Sequence, residues 1–451
     1  MMQFRKIIPL VFALLFVARA NAQTPITLQD ALEYALSNSE VIRQARIDID
    51  QVAQKVVETR AGALPQLNIN SSVTGNILVQ QFVLPAETFG GAPGEFIAIK
   101  AGQTWNAMSQ VQFSQQLFNQ QLFTGLKAAK GSVEFYQLSA RVSEENVMQQ
   151  VATNFYQVII SKEKIKVIDA NIERVSQLEK MIRGQYENGL AKKIDLDRVL
   201  VNKGNLEAQK LELSNGISQQ ENLLKYYMGM PVGTEITLVH ESMERMEIPK
   251  GAIINNEPLN KGNLVSLLVL EKQQDLMQLQ RKAIAAEAYP SLSLGGNYTY
   301  NTQSNNFNLY TNKALNYDVS SVNLTLKIPV FDGFSRKARK KQAEFDIQKG
   351  EEEIRKTNNG LQMNYDNARK QIAYSMEAIQ AQKANKELAQ EVFESTRNNY
   401  NNGLASLTDL LDAESELVTA QNSYNEAMLN FKVAEIELTK SKGDIKTLLT
   451  K

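Results

Sequence analysis

Short motifs occur twice in this chain, in the same order. The segment Tyr186-Glu-Asn-Gly189-Leu-Ala191 recurs as Tyr400-Asn-Asn-Gly403-Leu-Ala405, 214 residues further on. Two further motif pairs are duplicated upstream of it: Ala63-Leu-Pro65-Gln-Leu67 with Ala288-Tyr-Pro290-Ser-Leu292, and Leu117-Phe-Asn119 with Val330-Phe-Asp332. Repeated motifs of this kind indicate repeated supersecondary units. We therefore expect an internal two-fold repeat, with residues 23–230 as the first copy, 231–262 as an irregular linker and 263–451 as the second copy.

Each copy contains an unusually long helical pattern. No proline occurs between Gln120 and Asn188, and apolar residues recur there at steps of three and four, which indicates an amphipathic helix. The stretch from Gly333 to Asn402 has the same character. At 1.5 Å per residue, about 70 residues span roughly 100 Å, so such a helix must pack against equally long neighbours. Periodicity alone does not separate a solvated coiled coil from a wall with water on two sides.

Each long pattern stops at a glycine, and a fresh helical pattern follows. Gly189 ends the first and Gly403 ends the second. Glycine suits the left-handed residue that closes a helix. We therefore expect each copy to contain a long helical hairpin, with its tip near Gly189 or Gly403.

Four segments alternate apolar and polar side chains, at 66–73, 110–117, 291–296 and 319–328. This period of two predicts strands, and hence β-hairpins at about 66–118 and 291–331. Prolines mark the junctions of helix and strand: Pro65, Pro290 and Pro329. An ordinary half-buried sheet and a membrane barrel both fit the alternation. Because lipid excludes open sheet edges and about eight strands are the usual minimum, a barrel would have to be shared between chains.

Composition excludes several functions. With 49 basic and 49 acidic residues, the chain lacks the charge footprint of a nucleic-acid-binding protein. Cysteine is absent and the one histidine, His240, lies in the linker, so thiol catalysis and the usual zinc sites are excluded. We find no paired nucleophile and base and no phosphate-binding loop. The sequence therefore predicts no enzyme activity, no cofactor and no metal site.

The first 22 residues have the pattern of a secretory signal peptide. Arg5 and Lys6 precede an apolar stretch from Ile7 to Val17, and Ala20-Asn-Ala22 provides a cleavage site. No later stretch of about 18 apolar residues follows. The sequence therefore predicts an exported chain that is either soluble or an outer-membrane barrel.

These features together resemble the TolC family of outer-membrane efflux proteins, across essentially the whole chain after the signal. The closest match runs from Tyr400 to Ala413, and looser ones are Leu28-Gln-Asp-Ala-Leu32 and Ile328-Pro-Val-Phe-Asp-Gly333. The resemblance implies an α+β membrane protein. It would be a homotrimer with a shared twelve-stranded antiparallel β-barrel, four strands per chain, continued by a long α-helical tunnel in the periplasm.

In function, the resemblance implies an outer-membrane channel, the exit duct of a tripartite efflux or type I secretion system. Its partners would be a periplasmic adaptor (membrane fusion) protein, an inner-membrane pump and the lipid of the outer membrane. The cargo is not readable from the sequence. The main alternative from another class is a periplasmic coiled-coil adaptor or scaffold without a pore, although such a protein would not require four amphipathic strands.

The resemblance also assigns roles to particular residues. Asp409 and Asp412 match two aspartates that form rings narrowing the periplasmic entrance. Tyr400 and Asp195 match residues whose contacts hold the entrance closed, but Ala405 replaces an arginine that many members use. The hairpin tips would dock the adaptor: Gly189, Leu190, Gly403 and Leu404. The residues alone favour the interpretation that the two aspartates cap or solvate the helix after the tip, and the resemblance favours the gate.

Overall fold

The structure is a computed structural model and describes residues 25–239, 258–309 and 314–450. The predicted signal peptide and His240 lie outside these residues. The chain forms two compact units. We call one the helical unit, which comprises the described residues of 1–47, 137–269 and 355–451. We call the other the sheet unit, which comprises the described residues of 48–136 and 270–354.

Helices account for most of the described residues, and the longest have 68 and 67 residues. In chain order they are α1 (Leu28–Asn38), α2 (Glu40–Ala61), α3 (Gln120–Glu187), α4 (Lys193–Met228), α5 (Val265–Ala286), α6 (Ser335–Asn401) and α7 (Leu407–Ser441). The two longest, α3 and α6, lie where the proline-free apolar periodicity predicts them. Among the described residues, no helix combines the length and apolar content needed to cross a membrane.

The sheet unit contains a four-stranded antiparallel sheet. Its strands are β2 (Gln66–Gly75), β5 (Trp105–Phe118), β7 (Ser291–Ser304) and β8 (Leu315–Lys327), which neighbour one another in the order β2–β5–β7–β8. A second pair, β3 (Gln81–Pro85) and β4 (Phe96–Lys100), forms a separate antiparallel hairpin between β2 and β5. In the helical unit, β1 (Pro25–Ile26) pairs in parallel with β6 (Thr237–Leu238).

The register of the sheet collects apolar side chains on one face. Leu67 lies opposite Phe113 and Ile69 opposite Val111, while on the other hairpin Leu294 lies opposite Leu324. Directly paired residues point to the same side of a sheet, so the opposite face carries mainly Gln, Asn, Ser and Thr. Every residue of β2 and of β8 is exposed. The outer edges of both strands have no partner strand among the described residues.

Two features of the sheet differ from the sequence prediction. First, β5 begins at Trp105 and β7 extends to Ser304, well beyond the alternating segments. Backbone pairing between them continues past the point where the alternation ends, for example at Trp105 opposite Ser304. Second, the β3–β4 hairpin was not predicted, because Phe82 and Val83 on adjacent positions make both of its faces apolar and remove the alternation.

The prolines lie at the ends of strands. Pro65 and Pro290 stand directly before β2 and β7, and Pro329 lies two residues after β8. Proline lacks a backbone N–H, and it disfavours helical backbone in the residue before it. The chain therefore leaves α2 and α5 before it reaches these prolines.

Candidate functional site at the helical hairpin tips

The hairpin of α3 and α4 turns through a glycine-closed tip. Gly189 has a φ of 75°, in the left-handed region that the sequence analysis expects there. The Leu190 N–H donates to the Gln185 carbonyl oxygen at 2.7 Å, and the Gly189 N–H donates to the Tyr186 carbonyl oxygen at 2.9 Å. This pair of bonds is a Schellman motif, which satisfies carbonyl groups that the helix end leaves free.

The hairpin of α6 and α7 has the same tip geometry. Gly403 has a φ of 76°, and the Leu404 N–H donates to the Asn399 carbonyl oxygen at 2.8 Å. Each glycine is followed by a leucine that projects into solvent, with Leu190 81% and Leu404 78% exposed. The two tips therefore present matched apolar side chains on rigidly closed turns.

Beneath the tips, a hydrophobic cluster joins all four hairpin helices. Its buried members are Val175, Leu178, Ile182, Leu196, Val199, Leu206, Phe393, Leu407, Leu410 and Leu417. Burying a side chain of this size stabilises a fold by roughly 1.5–3 kcal/mol. The cluster fixes the two hairpins against each other and positions the polar residues around them.

Asp409 is bound to the start of α7. Its Oδ2 accepts hydrogen bonds from the Ser406 backbone N–H at 2.8 Å and from the Ser406 hydroxyl at 2.7 Å. The Asp409 N–H donates back to Ser406 Oγ at 3.2 Å, which completes a capping box. These bonds hold the pKa of Asp409 below its usual value. In the single chain, Asp409 is therefore the capping-box partner of the N-cap residue Ser406, in line with the capping role that the residues alone favour.

Asp195 occupies the matching position of α4, but its surroundings differ. The residue that precedes α4 is Lys192, whose side chain makes no capping bond, so Asp195 has no capping box. The pKa of Tyr400 is raised, first by burial and then by the negative charge of Asp195. Asp195 therefore acts on Tyr400 through its charge across the two hairpins, and no hydrogen bond joins the two side chains among the described residues.

Asp412 lies one turn beyond Asp409 on α7 and is exposed. It lines a shallow groove between α6 and α7, together with Gln382, Asn385, Ser415, Glu416, Thr419, Ala420 and Ser423. Among the described residues, no group of acidic or histidine side chains is arranged to hold a metal ion. Within one chain, Asp409 and Asp412 both face solvent on the same helix.

A buried ion pair near the tips was missed by the sequence analysis. Arg174 Nε of α3 donates to Glu414 Oε1 of α7 at 3.1 Å, and the Glu414 side chain is only 4% exposed. Burial raises the pKa of Glu414, and the hydrogen bond from Arg174 opposes that rise. The Arg174 guanidinium also lies over the Phe393 ring, 5.5 Å from its centroid.

One signal in the sequence could have revealed this pair. Glu414 falls between Leu410 and Leu417 at helical spacing, in the apolar stripe of α7. A carboxylate in such a stripe requires a cationic partner when it is buried. A second, exposed contact joins the hairpins nearby, where Arg198 Nη1 donates to Thr408 Oγ1 at 3.0 Å.

Comparison with known proteins identifies the class of protein that has this fold. The family model described as outer membrane efflux protein matches residues 31–230 and 261–444. The chain is 20% identical over 441 residues to the outer membrane protein TolC of Vibrio cholerae, covering 98% of this chain and 96% of that one. It is also 20% identical over 450 residues to the proteases secretion protein PrtF of Dickeya chrysanthemi, covering 97% and 92%.

A solved structure supports the same assignment at the level of the fold. The crystal structure of CusC, described with transmembrane channel formation, superposes with a TM-score of 0.71 at 16% identity, over 92% of this chain and 91% of that one. The fold and the matches define an outer-membrane channel protein and not an enzyme. The chain belongs to the outer membrane efflux protein family.

Proposed function

We propose that this chain forms, as a homotrimer, the exit duct through which an inner-membrane pump and a periplasmic adaptor deliver cargo across the outer membrane. The observation that carries the proposal is the four-stranded sheet with two open edges. Its apolar and polar faces suit lipid on one side and water on the other.

The open edges require partners if the sheet lies in lipid. Unpaired backbone N–H and C=O groups are too costly in the hydrocarbon core, and every residue of β2 and β8 is exposed in one chain. In the strand order β2–β5–β7–β8, each strand is antiparallel to the next, so β8 of one copy can pair antiparallel with β2 of another. Three copies would close a twelve-stranded barrel, the number that the family resemblance implies.

The hairpin tips would form the periplasmic entrance of the duct. Around a three-fold axis, Asp409 and Asp412 of each copy would form two acidic rings that impede anions and bind divalent cations. The contacts between Tyr400 and Asp195 and between Arg174 and Glu414 would hold the entrance closed. In this chain Arg174 would supply the closing arginine, because Ala405 stands where many family members have one.

The tips also offer the surface for an adaptor. Gly189 and Gly403 close rigid turns, and the exposed Leu190 and Leu404 supply apolar contact area. A non-pore scaffold is the rival function, but it would leave the two-faced sheet without a purpose. The family model is described as outer membrane efflux protein, and one relative is named for protease secretion, so the cargo class stays open.

Single-channel conductance in planar bilayers tests the gate. We expect the double variant Asp409→Ala/Asp412→Ala to raise conductance and to weaken block by divalent cations, since it removes both acidic rings. The matched control is Asp48→Ala/Asp50→Ala, which removes the same charge from exposed positions of α2. Unchanged conductance in the gate variant would contradict the gate, while a monomeric mass in detergent and absence of channels in the wild type would contradict the duct itself.

A further inference from the structure

A strongly basic segment follows the last strand of the sheet unit. We call the exposed segment from Lys327 to Lys341 the junction patch. It contains six cationic side chains, Lys327, Arg336, Lys337, Arg339, Lys340 and Lys341, and one acidic side chain, Asp332. The matching stretch of the first repeat, residues 114–128, contains a single charged residue, Lys127. A chain can therefore connect strand to helix here without such a cluster.

Half of the cations in the junction patch are balanced by carboxylates. The pairs are Arg336 with Asp332 at 3.2 Å, Lys341 with Glu344 at 3.3 Å, and Arg339 with Glu287, which accepts from both ends of the guanidinium group. These pairs lie within the sheet unit and fix the orientation of the first turns of α6.

The other three cations, Lys327, Lys337 and Lys340, are exposed. Among the described residues none of them has an ion pair or a hydrogen-bonded side-chain partner. The junction patch therefore carries a surplus of three positive charges that face solvent in the single chain.

Helix stability does not account for these charges. The N-terminal end of a helix carries a partial positive charge, so cations in its first turns are unfavourable and acids are preferred there. Lys337 and Lys340 lie in the first two turns of α6. A contact outside the helix is needed to explain their position.

Exposed apolar side chains lie directly beside the cations. Val330 is 89%, Phe331 73% and Phe334 67% exposed, and the rings of Phe331 and Phe334 meet edge to face at 5.5 Å between centroids. Phe334 has a φ of 66°, a conformation that is rare for a residue with a large side chain. Phe334 directly precedes α6, and Lys337 lies in the first turn of that helix.

We propose that the junction patch binds the headgroups of anionic phospholipids, with the ammonium groups of Lys337 and Lys340 on the phosphates and the two phenylalanine rings at the acyl boundary. Lys327 lies on the polar face of β8 and takes no part in this site. The inference rests on the proposed membrane location of the sheet. Exposed aromatic rings beside unpaired cations are typical of a membrane–water interface. A small free anion would satisfy the lysines but would leave the three large apolar side chains uncovered. The patch also continues the apolar face of β8, through Leu326 and Ile328.

The test measures lipid binding to the purified full-length channel by native mass spectrometry. Delipidated protein is titrated with phosphatidylglycerol or with phosphatidylcholine, and the ratio of the two affinities is the readout. A cation near an anionic surface contributes roughly fivefold to binding, so we expect Lys337→Gln/Lys340→Gln to reduce the preference for phosphatidylglycerol by about 25-fold. The matched control, Lys370→Gln/Lys383→Gln, removes two exposed lysines elsewhere on α6 and should leave the preference intact.

Two further measurements separate the charge from the rings and remove the dependence on any one variant. Phe334→Asn keeps a residue that tolerates the left-handed backbone and should weaken binding of both lipids equally. In the wild-type channel, raising the salt from 50 to 500 mM should collapse the preference for phosphatidylglycerol, because salt screens exposed charges.

Several results would overturn the inference. These are an equal affinity of the wild type for both lipids, an equal loss in the control variant, and complete competition by inorganic phosphate. The mass of the assembly and its conductance are recorded on the same samples. A conducting trimer without lipid preference would refute the junction patch alone, whereas a non-conducting monomer would refute the proposed duct.

Discussion

The buried ion pair of Arg174 and Glu414 makes a pH-dependent prediction. Arg174→Met keeps an unbranched aliphatic side chain at position 174 but leaves Glu414 buried without its cation. Its pKa, already raised above the ordinary value of 4.5, then rises further. Because the folded chain now holds a proton that the unfolded chain has released, stability decreases as the pH rises above 4.5.

The size of this effect is limited by the cost of keeping Glu414 protonated. One pKa unit corresponds to 1.36 kcal/mol, so between pH 4.5 and pH 7 the cost of Arg174→Met grows from near zero to at most about 3 kcal/mol. The free energy of local opening around the hydrophobic cluster beneath the tips is measured by hydrogen exchange, corrected for the intrinsic exchange rate at each pH.

The control is Glu414→Gln, which keeps the shape and removes the titrating group. The Arg174 side chain is partly exposed, so water still solvates its guanidinium group when residue 414 is neutral. We expect the opening free energy of Glu414→Gln itself to show no contribution from position 414 between pH 5 and pH 7.5. The reasoning is refuted if Arg174→Met destabilises the hairpins by the same amount at the lower and the upper end of this pH range.

Three further predictions concern the tips. Gly403→Ala should cost about 1 kcal/mol in tip stability, since its φ of 76° disfavours a Cβ, whereas Gly360→Ala within α6 should gain up to about 1 kcal/mol; thermal unfolding compares the two, and equal effects would contradict the prediction. Ser406→Ala removes the hydroxyl bond to Asp409 and keeps the backbone bond, so it removes one of the two causes of the lowered pKa. The pH at which protons relieve cation block should therefore rise, and an unchanged midpoint would argue against it. Leu190→Ser/Leu404→Ser should weaken adaptor binding in a pull-down without altering conductance, and full adaptor binding would exclude the tips as the docking surface.

Local sequence rules predict much of this fold. The lack of proline and the three-and-four spacing of apolar residues locate α3 and α6 to within a residue or two. Gly189 and Gly403 have the left-handed backbone expected of glycine after a helix. The alternation locates the start of β2 and the end of β8, because in these segments the polar face is almost free of apolar residues.

The features that were missed depend on contacts between distant segments. Arg174 and Glu414 are 240 residues apart, and periodicity gives neither the register nor the rotation of one hairpin against another. The β3–β4 hairpin has apolar residues on both faces, so no pattern of period two reveals it. The sequence also left two roles open for Asp409, and only the coordinates of Ser406 identify its capping bonds.

The difference between the two helix starts has a consequence for how the hairpins are coupled. Asp195 and Asp409 are at matching positions after their tips. Asp409 is hydrogen-bonded to Ser406 in a capping box, whereas Lys192 has no side-chain acceptor and forms no such box with Asp195. Asp195 is therefore available to interact with Tyr400. The substitution Lys192→Ser would allow Asp195 to form the same capping box with residue 192. Lys192 takes part neither in the capping box of Asp409 nor in the interaction of Asp195 with Tyr400. A substitution at Lys192 would nevertheless change how strongly the two hairpins interact, and with it the mobility of the tips.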